Sequence, residues 1–550
     1  MERHFSLVLY DVRAYVSCQG YVGILQSVWL SINQGGTASY FVLDKIYFVR
    51  DFFISFPDRD RRYNMIRPNI EEIRQLKETG MYKVVPVCRE ILSDVRTPIE
   101  LLKILKNNSK HCYMLESASA DERWGRYTFL GYDPKLEVTC VDGLMKIGDK
   151  RIKTDNPSAE IRKLMKEYTS PKFSYLPSFT GGLVGYFSYD YLKYSEPTLR
   201  LDAKDTEKFN DVDLMLFDKV IAYDNFRQKI MLIKNIKIDK YEEEYQDAIK
   251  EIDDMVELIR FGEPVNEEKS ELLSEPKMLF SKEEYCSMVE RAKYHIKEGD
   301  IFQIVLSNRM EAEFKGSLID TYRILRTKNP SPYMFYFSGL DVEVAGASPE
   351  TLVKLEDGVL HTFPLAGTRP RGKNQKEDEE LKASLLADEK ECAEHEMLVD
   401  LGRNDIGRIS KFGTVEVESH MDVLNFSHVM HIGSTVRGII SDNKDSLDAI
   451  EAILPAGTLS GAPKIKACQL INDLENNKRG IYGGAIGYID FTGNLDTCIA
   501  IRIAYKKNNK VFVRSGAGIV YDSIPENEYR ECVNKAAAVM ESLKEREALL

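Results

Sequence analysis

Several features that define other protein classes are missing from this sequence of 550 residues. No uninterrupted apolar stretch reaches the roughly 20 residues of a membrane-spanning helix, and the first residues lack the basic start and the cleavage site of a secretion signal. No basic run stands out as a phosphate-neutralising face, and the formal net charge is −12. We therefore expect a protein that binds neither membranes nor nucleic acid.

Cysteine lacks the spacing of a zinc site or a disulfide framework. The nine cysteines are odd in number and scattered, and none forms a C-x-x-C pair. They are Cys18, Cys88, Cys112, Cys140, Cys286, Cys392, Cys468, Cys498 and Cys532. This pattern is typical of reduced thiols and predicts a cytoplasmic protein.

The composition divides the chain into four segments. Residues 1–64 are dense in aromatic and β-branched residues, and we interpret them as an N-terminal extension or an extra β-rich element. Residues 65–237 form an N-terminal domain, residues 238–275 a charged helix and linker, and residues 276–550 a C-terminal domain. Helices and strands alternate without βαβ regularity, which predicts an α+β fold with antiparallel sheets.

A pair of carboxylates lies on one face of a predicted helix in residues 377–409. Apolar residues recur there at nearly helical spacing, and Asn374 precedes them as a capping residue. Glu391 and Glu394 are separated by three positions, so they share a helix face and repel each other.

A second predicted helix carries a similar pair near the C-terminus. Ser523 and Pro525 give its start signal, and Glu528 and Glu531 again lie three positions apart. Four carboxylates on two helices, close to a run of glycines, form a plausible oxygen-ligand site for Mg²⁺. The alternative is that both pairs lie on solvent-exposed helix faces and bind nothing.

The stretch FPLAGTRPRG combines glycine with arginine in a way that suits an anion. Gly367 and Thr368 lie at the end of a predicted strand, followed by Arg369 and Arg371. Backbone N–H groups beside guanidinium groups can hold a carboxylate. An exposed turn with solvated arginines is the alternative interpretation.

Six blocks of sequence, in this order, resemble the chorismate-binding enzymes and most closely component I of anthranilate synthases. They span residues 363–537 and read FPLAGTRPRG, AEHEMLVDLGRNDIGRI, FSHVMHI, LPAGTLSGAPKIKA, YGGAIGYIDFTGNLDTCIAIR and RSGAGIVYDSIPENEYRECVNKA. The resemblance extends from about residue 65 to the end. It implies an α+β fold in which two antiparallel β-sheets pack as a sandwich, with helices on the outside.

The resemblance also implies the ligands of the site. Mg²⁺ is implied to bind Glu394 and Glu531, with Glu391 and Glu528 as second members of each pair. The implied chorismate-binding residues are Gly367, Thr368, Tyr482, Arg502, Gly516, Ala517 and Gly518. This ligand set suits a dicarboxylate, because a metal neutralises one carboxylate of chorismate while Arg502 and glycine N–H groups bind the other. Gly516 and Gly518 alternatively only permit a tight strand connection.

Three residues are implied to carry the chemistry. Glu350 is the general acid that protonates the departing 4-hydroxyl while ammonia adds at carbon 2 of the ring, which requires a carboxyl that stays protonated. His431 is the candidate base or electrostatic helper when pyruvate leaves, and Thr458 positions substrate. We expect His395 and His428 to serve packing or support.

Two positions distinguish branches of the family. Relatives that make aminodeoxychorismate have a nucleophilic lysine where this chain has Ala366, and alanine cannot attack the ring. Relatives that make isochorismate have a lysine base near Gln303, and glutamine cannot take that proton. Ammonia remains as the nucleophile. Because the chain has no G-x-C-x-G glutaminase motif, we expect ammonia from a separate glutamine amidotransferase subunit or from solution.

Two further motifs resemble the family's site for tryptophan as a feedback inhibitor. They are MLESA, with Ser117, and NPSPYM, with Pro332, Tyr333 and Met334. This chain has Met114 where the family usually has leucine, which is a volume-conserving change. The alternative for MLESA is an ordinary strand with solvent-facing polar residues.

The sequence therefore predicts a Mg²⁺-dependent lyase that makes anthranilate and pyruvate from chorismate in tryptophan biosynthesis. An enzyme that stops at 2-amino-2-deoxyisochorismate is a close alternative, since only the elimination step differs. A non-catalytic, tryptophan-binding regulatory subunit is the alternative from another class.

Overall fold

The computed structural model describes residues 15–18, 21–24, 29–32, 38–41, 65–117, 125–265, 269–425 and 429–545. The chain separates into two compact units, Met1–Met65 and Ile66–Leu550. In the first unit β1 (Tyr15–Cys18) pairs with β2 (Tyr21–Ile24), and β3 (Trp29–Ile32) pairs with β4 (Ala38–Phe41). Most of residues 1–64 lie outside the described residues, so their interpretation as an extension stays a prediction.

The described strands of the second unit come in two groups along the chain. The first group is β5 (Val84–Leu92), β6 (Cys112–Glu116), β7 (Tyr127–Tyr132), β8 (Leu136–Val141), β9 (Leu144–Ile147), β10 (Lys150–Lys153), β11 (Gly182–Phe187), β12 (Val212–Phe217), β13 (Lys219–Asp224) and β14 (Lys229–Lys237). The second group is β15 (Glu271–Leu272), β16 (Lys277–Met278), β17 (Gln303–Lys315), β18 (Tyr333–Ser338), β19 (Val342–Ser348), β20 (Thr351–Glu356), β21 (Val359–Thr362), β22 (Leu365–Pro370), β23 (Glu416–Asn425), β24 (Val429–Ile439), β25 (Gly461–Ala462), β26 (Ala485–Asp490), β27 (Leu495–Ile499), β28 (Ile503–Lys507) and β29 (Lys510–Ile519).

The α-helices of this unit are spread along the whole of its length. In chain order the described ones are α1 (Ile70–Glu78), α2 (Pro98–Asn108), α3 (Pro157–Lys166), α4 (Leu192–Ser195), α5 (Tyr241–Phe261), α6 (Lys282–Lys297), α7 (Ile319–Lys328), α8 (Gln375–Leu386), α9 (Glu389–Gly407), α10 (Ser446–Ile453), α11 (Lys464–Glu475) and α12 (Pro525–Lys544). None of these described helices combines the length and the apolar character needed to cross a membrane.

Two large antiparallel sheets organise the unit. One sheet runs in the order β10-β9-β8-β12-β11-β26-β27-β20-β21-β24-β22, with β23 also paired to β24. The other runs in the order β15-β17-β29-β28-β19-β18-β6-β7-β13-β14-β5, with β16 and β25 also paired to β17. Strands from both sides of residues 238–275 share each sheet, as β11 pairs with β26 and β6 with β18. The predicted boundaries between domains stay predictions.

The space between the two sheets is filled mainly by aromatic side chains. Phe217 and Tyr488 from the first sheet meet Phe129, Phe337 and Phe512 from the second in one buried cluster. Alternation along each strand gives both sheets an apolar inner face, and the buried rings form the layer between them. The predicted α+β sandwich is confirmed.

The helices cover the outer faces of the sheets. Ile104 of α2, Ile252 of α5 and Tyr322 of α7 belong to the core on the second sheet. Ile406 of α9 and Ile450 of α10 belong to the core on the first sheet. This arrangement puts α9 on one sheet, while α12 packs against β29 in the other.

The start signals of the two acidic helices are only partly as predicted. Residues 377–409 form two helices rather than one, because Asp388 accepts hydrogen bonds from the amides of Lys390 and Glu391 and starts α9. The predicted start at Ser523 is wrong, since Ile524 is the capping residue and Ser523 Oγ accepts from the amide of Val520 instead. Pro525 does occupy the first turn of α12.

Candidate active site

A cavity of about 800 Å³ lies between α9, α12 and strands of both sheets. It brings together predicted site residues that are far apart in the sequence. These are Glu350, Gly367, Thr368, Glu391, Glu394, His431, Thr458, Tyr482, Arg502, Gly516, Gly518, Glu528 and Glu531. Ala517 does not line this cavity, because its buried side chain packs in a core with Ile304 and Leu306.

The carboxylates of the two acidic helices share this cavity and repel one another. Burial and the negative charges of Glu391 and Glu531 raise the pKa of Glu394. Burial and the charge of Glu531 likewise raise the pKa of Glu528. The convergence of α9 and α12 therefore creates a place where a cation is stabilised.

Two cations of the chain already contact this acidic group. Nζ of Lys535 lies 2.7 Å from Oε1 of Glu531, four positions earlier on α12. One terminal guanidinium nitrogen of Arg369, Nη1, lies 3.6 Å from Glu391, and the other, Nη2, lies 2.7 Å from Asp388. Burial raises the pKa of Glu394 and Glu528, the other member of each pair.

The residues present suit a hard divalent cation. Carboxylate oxygen is the ligand type that Mg²⁺ prefers, and one or two carboxylates are sufficient, with water and substrate oxygens completing its shell. Within the described residues no group of three or more His, Cys, Asp and Glu forms a ready-made metal cluster. The arrangement fits an ion that is shared with a bound substrate better than one enclosed by protein ligands alone.

Glu350 meets the main requirement of a general acid. Burial raises its pKa to about 7, although the hydrogen bond from Thr458 and the charges of Lys535 and Arg502 lower it. Oγ1 of Thr458 donates to Oε1 of Glu350 at 2.8 Å. A large fraction of this carboxyl therefore carries a proton near neutral pH, and the bond fixes its orientation.

His431 is oriented by a bulge in β22. Gly367 has φ of 64° at the register shift between Ala366 and Thr368, and its carbonyl oxygen lies 2.9 Å from Nδ1 of His431. Because a carbonyl only accepts hydrogen bonds, Nδ1 carries the proton and Nε2 keeps the lone pair. Burial and the charge of Arg502 lower the pKa of His431, so the ring is neutral near pH 7.

Arg502 supplies positive charge in a strained backbone conformation. Its φ is 52°, in the left-handed region that non-glycine residues rarely adopt. Burial lowers its pKa, while the nearby Glu350 raises it. Strained residues concentrate at ligand-binding positions, and a buried guanidinium is a strong partner for a carboxylate.

Two glycines of β29 allow close approach to the cavity floor. A Cβ atom at Gly516 would lie 2.7 Å from the carbonyl oxygen of Leu306 and 3.1 Å from the hydroxyl of Tyr482. A Cβ at Gly518 would lie 2.9 Å from Nε2 of Gln303. Any larger residue would displace the groups that shape this floor.

Sequence reasoning missed two lysines of the cavity. Lys390 and Lys535 line it together with the carboxylates. The spacing of Lys535 four positions after Glu531 on one helix was a usable signal, because such residues are neighbours on a helix surface. Lys390 had no comparable signal.

A second cavity, of about 360 Å³, gathers the residues predicted to bind tryptophan. Ser117, Pro332, Tyr333 and Met334 all line it. Its walls also include the aromatic rings of Tyr127, Phe129, Phe173 and Tyr175 and the charged residues Glu116, Arg126, Arg227 and Asp496. An aromatic slot with charges of both signs is suited to an aromatic amino acid.

The second cavity is linked by hydrogen bonds to the chain next to Glu350. The hydroxyl of Tyr333 donates to Asp496 at 2.8 Å and accepts from Oγ1 of Thr351 at 3.0 Å. Thr351 follows Glu350 directly in the chain. Pro332 lines this cavity and also a neighbouring cavity whose walls include Arg502 and His431. A displacement of Tyr333 would therefore disturb the segment that carries Glu350.

Two other histidines, His395 and His428, were expected to serve packing or support. His395 is buried, and its Nε2 lies 2.6 Å from Oγ of Ser434, which is a packing role. His428 lies outside the described residues.

Comparison with known proteins identifies the family. The family model described as chorismate binding enzyme matches residues 110–541. The chain is 43% identical over 495 residues to anthranilate synthase component 1 of Acetivibrio thermocellus, covering 88% of this chain and 99% of that protein. It is 42% identical to the protein of the same name from Aquifex aeolicus, covering 86% and 97%.

Solved structures agree with this assignment. The crystal structure of anthranilate synthase component I from Streptococcus pneumoniae superposes with a TM-score of 0.69 at 37% identity, covering 82% of this chain and 98% of that one. The menaquinone-specific isochorismate synthase of Escherichia coli shares the fold, with a TM-score of 0.63 at 19% identity and coverage of 86% and 98%. The chain therefore belongs to the family of chorismate-binding enzymes.

Proposed function

We propose that this chain is the large, aminating subunit of an anthranilate synthase, a lyase that converts chorismate and ammonia to anthranilate and pyruvate. The observation that carries the proposal is the position of Glu350. Its carboxyl, with a pKa of about 7, shares one cavity with neutral His431, with Arg502 and with a group of four carboxylates. This set contains an acid, a base and binding groups for a dicarboxylate.

Amination requires proton donation to a poor leaving group. Glu350, held by Thr458, protonates the departing 4-hydroxyl while ammonia adds at carbon 2 of the ring. The hydroxyl then leaves as water. Arg502 and the backbone at Gly516 and Gly518 hold a carboxylate of chorismate, so that the ring is fixed during the addition.

Elimination of pyruvate requires removal of a proton from carbon 2. Nε2 of His431 takes this proton, because Nδ1 is committed to the carbonyl of Gly367. Removal of the proton makes the ring aromatic as enolpyruvate departs, and Thr368 lies within 3.1 Å of Nδ1 to steady the imidazole. The presence of this base favours anthranilate over 2-amino-2-deoxyisochorismate as the product.

Mg²⁺ is the proposed cofactor. Glu394 and Glu531 would hold it, with Glu391 and Glu528 beside them, and the ion would supply a template and a Lewis acid for the ring carboxylate. The raised pKa values of Glu394 and Glu528 support this assignment, because a divalent cation relieves the repulsion behind them.

A glutamine amidotransferase is the proposed partner. The name component 1, shared by the similar proteins, implies a second component. The chain has no glutaminase nucleophile motif of its own, so a separate subunit would deliver ammonia, and free ammonia would replace it in solution.

Tryptophan is the proposed inhibitor, bound in the cavity of Ser117, Pro332, Tyr333 and Met334. The aromatic walls of that cavity suit an indole ring, and its charged groups suit the amino and carboxylate groups. The hydrogen bond between Tyr333 and Thr351 supports a coupling to Glu350. Inhibition requires that tryptophan and chorismate favour different arrangements of this segment.

The test is a fluorescence assay of the purified chain with chorismate, ammonium and Mg²⁺ at alkaline pH. We expect anthranilate to accumulate, and removal of Mg²⁺ with a chelator to stop the reaction. The matched control is Glu350→Gln, which keeps the size of the side chain and removes the acid. A folded protein that makes no anthranilate would refute the proposal.

A further inference from the structure

A separate and smaller cavity, of about 40 Å³, also reaches Glu350 and Thr458. Its other polar walls include Thr351, Thr362 and Asp405. A space of this size accommodates at least one water molecule, and a buried water needs a few polar partners, which these residues supply. The catalytic acid therefore has a second polar contact besides the substrate cavity.

Asp405 at this cavity is part of a buried ion pair. It lies on α9 in the LGRNDIGR block, and Nζ of Lys464 donates to its Oδ2 at 2.7 Å. The two side chains are only 7% and 11% exposed. Lys464 also donates to the carbonyl of Ile453 at 3.0 Å. The bond from Lys464 uses one carboxylate oxygen, which leaves Oδ1 of Asp405 for a partner in the cavity.

The proposed reaction requires Glu350 to be reprotonated in every cycle. Glu350 loses its proton to the leaving hydroxyl in every cycle and must regain one before the next cycle. While substrate or product fills the large cavity, solvent reaches Glu350 poorly from that side. A route through the small cavity would return the proton independently of product release.

We propose that Asp405 and Lys464 return a proton to Glu350 through a water molecule in the small cavity. This inference rests on the proposed function. Asp405 acts through the water and is therefore a positioning residue, while Lys464 fixes it and balances its charge. The mechanism above gives neither Asp405 nor Lys464 a role.

The proton transfer is balanced. The Glu350 carboxylate takes a proton from the water, the water takes one from the Asp405 carboxyl, and Asp405 regains a proton from solvent while Lys464 stays an ammonium and holds its Oδ2. The ammonium group formed at carbon 2 of the ring releases one proton to solvent, so the cycle consumes no net proton and oxidises nothing.

The test uses the variant Asp405→Asn and measures the rate of its first turnover separately from the rate of later turnovers. Because the pKa of Glu350 is about 7, roughly half of the resting enzyme at pH 7 holds the protonated acid, and its first turnover does not need the route. Rapid mixing with chorismate, Mg²⁺ and ammonium should give a burst of at most one anthranilate per site at the wild-type rate. The later rate should fall by about 100-fold, the scale of a lost proton transfer, and show a larger solvent deuterium isotope effect than wild type.

A second variant keeps the test valid if the single one is unstable. Asp405→Asn with Lys464→Met removes the buried cation that would otherwise lack a partner, and it should show the same burst. Equal slowing of both phases, no slowing, or a burst without the larger isotope effect would each overturn the inference. A wild-type chain that makes no anthranilate would instead reject the proposed function.

Discussion

The hydroxyl of Thr458 donates a hydrogen bond of 2.8 Å to the carboxyl of Glu350, which lies 108 residues earlier in the chain. The bond orients this carboxyl in the large cavity. It also lowers the pKa of Glu350, whereas burial raises that pKa to about 7. The balance of these two effects sets the pH range in which Glu350 carries a proton.

Thr458→Val should therefore change the pH dependence of amination. Without the hydrogen bond the pKa of Glu350 rises, because the ionised form loses a donor. A general acid is active when protonated, so the rate at constant free ammonia falls as pH rises through this pKa, and in the variant that fall moves to higher pH. Initial rates against pH measure it, and Thr458→Ser is the control. An unshifted profile would contradict the role of the bond.

His431→Asn should separate the two halves of the reaction. Amination depends on Glu350 and should continue, whereas loss of the base should slow pyruvate elimination by about 100-fold or more. Chromatography should then detect 2-amino-2-deoxyisochorismate. His420→Asn is the matched control, because His420 lies on β23 beside Glu396 and does not line the cavity. Equal loss of both steps would count against His431 as the base.

Glu394→Gln should weaken Mg²⁺ binding. The change removes one negative charge from the acidic group, and we expect the dissociation constant to rise by about tenfold or more, which corresponds to ~1.4 kcal/mol. Titration calorimetry in the presence of chorismate measures it. Glu541→Gln on α12 is the control, since Glu541 is exposed and pairs only weakly with Lys328 at 3.4 Å. Unchanged binding would remove Glu394 from the metal site.

Thr351→Val should uncouple tryptophan binding from inhibition. Valine has a similar shape but cannot donate to the hydroxyl of Tyr333, so the second cavity keeps its walls while its link to Glu350 is lost. We expect calorimetry to give a tryptophan affinity within about twofold of wild type, and the inhibitory concentration to rise by about tenfold, a coupling of typical size. Thr351→Ser keeps the hydroxyl and should restore inhibition. Inhibition that stays at the wild-type level in the valine variant would argue for another route.

Glu475→Gln should be strongly destabilising. The carboxylate of Glu475 is 2% exposed and accepts from Arg479 at 2.6 Å and from Arg514 at 2.8 Å, which joins α11 to β29 beside the cavity. Loss of its charge leaves two buried guanidinium groups uncompensated, at a cost of about 3–5 kcal/mol. Denaturant unfolding measures it. The control Glu380→Gln, at an exposed site, should change the free energy of unfolding by less than about 0.5 kcal/mol.

The sequence predicted those parts of the site that depend on local geometry. Glu391 with Glu394, and Glu528 with Glu531, share helix faces because three positions make nearly a full turn, whatever surrounds the helix. A capping box also forms at Ser281, whose side chain accepts from the amide of Glu284, and it depends on the same kind of local spacing. The four carboxylates and the nearby glycines suggested that the two helices meet at one site, with solvated helix faces as the alternative, and the resemblance then implied it.

Contacts between distant segments could not be predicted from local patterns. The break between α8 and α9 depends on Asp388, which also binds Arg369 at 2.7 Å, so a tertiary ion pair reinforces a cap that interrupts a helical pattern. The bond from Thr351 to Tyr333 joins two strands of different sheets. Such pairs emerge only when the sheets pack.

The most direct test of the central claim is a product balance with labelled ammonium. The chain is incubated with chorismate, Mg²⁺ and ¹⁵N-ammonium, and mass spectrometry and a pyruvate assay follow the products. The account predicts equal amounts of ¹⁵N-anthranilate and pyruvate from the chorismate consumed, and neither product from Glu350→Gln. Consumption of chorismate to an unlabelled product, or equal activity in Glu350→Gln, would contradict it.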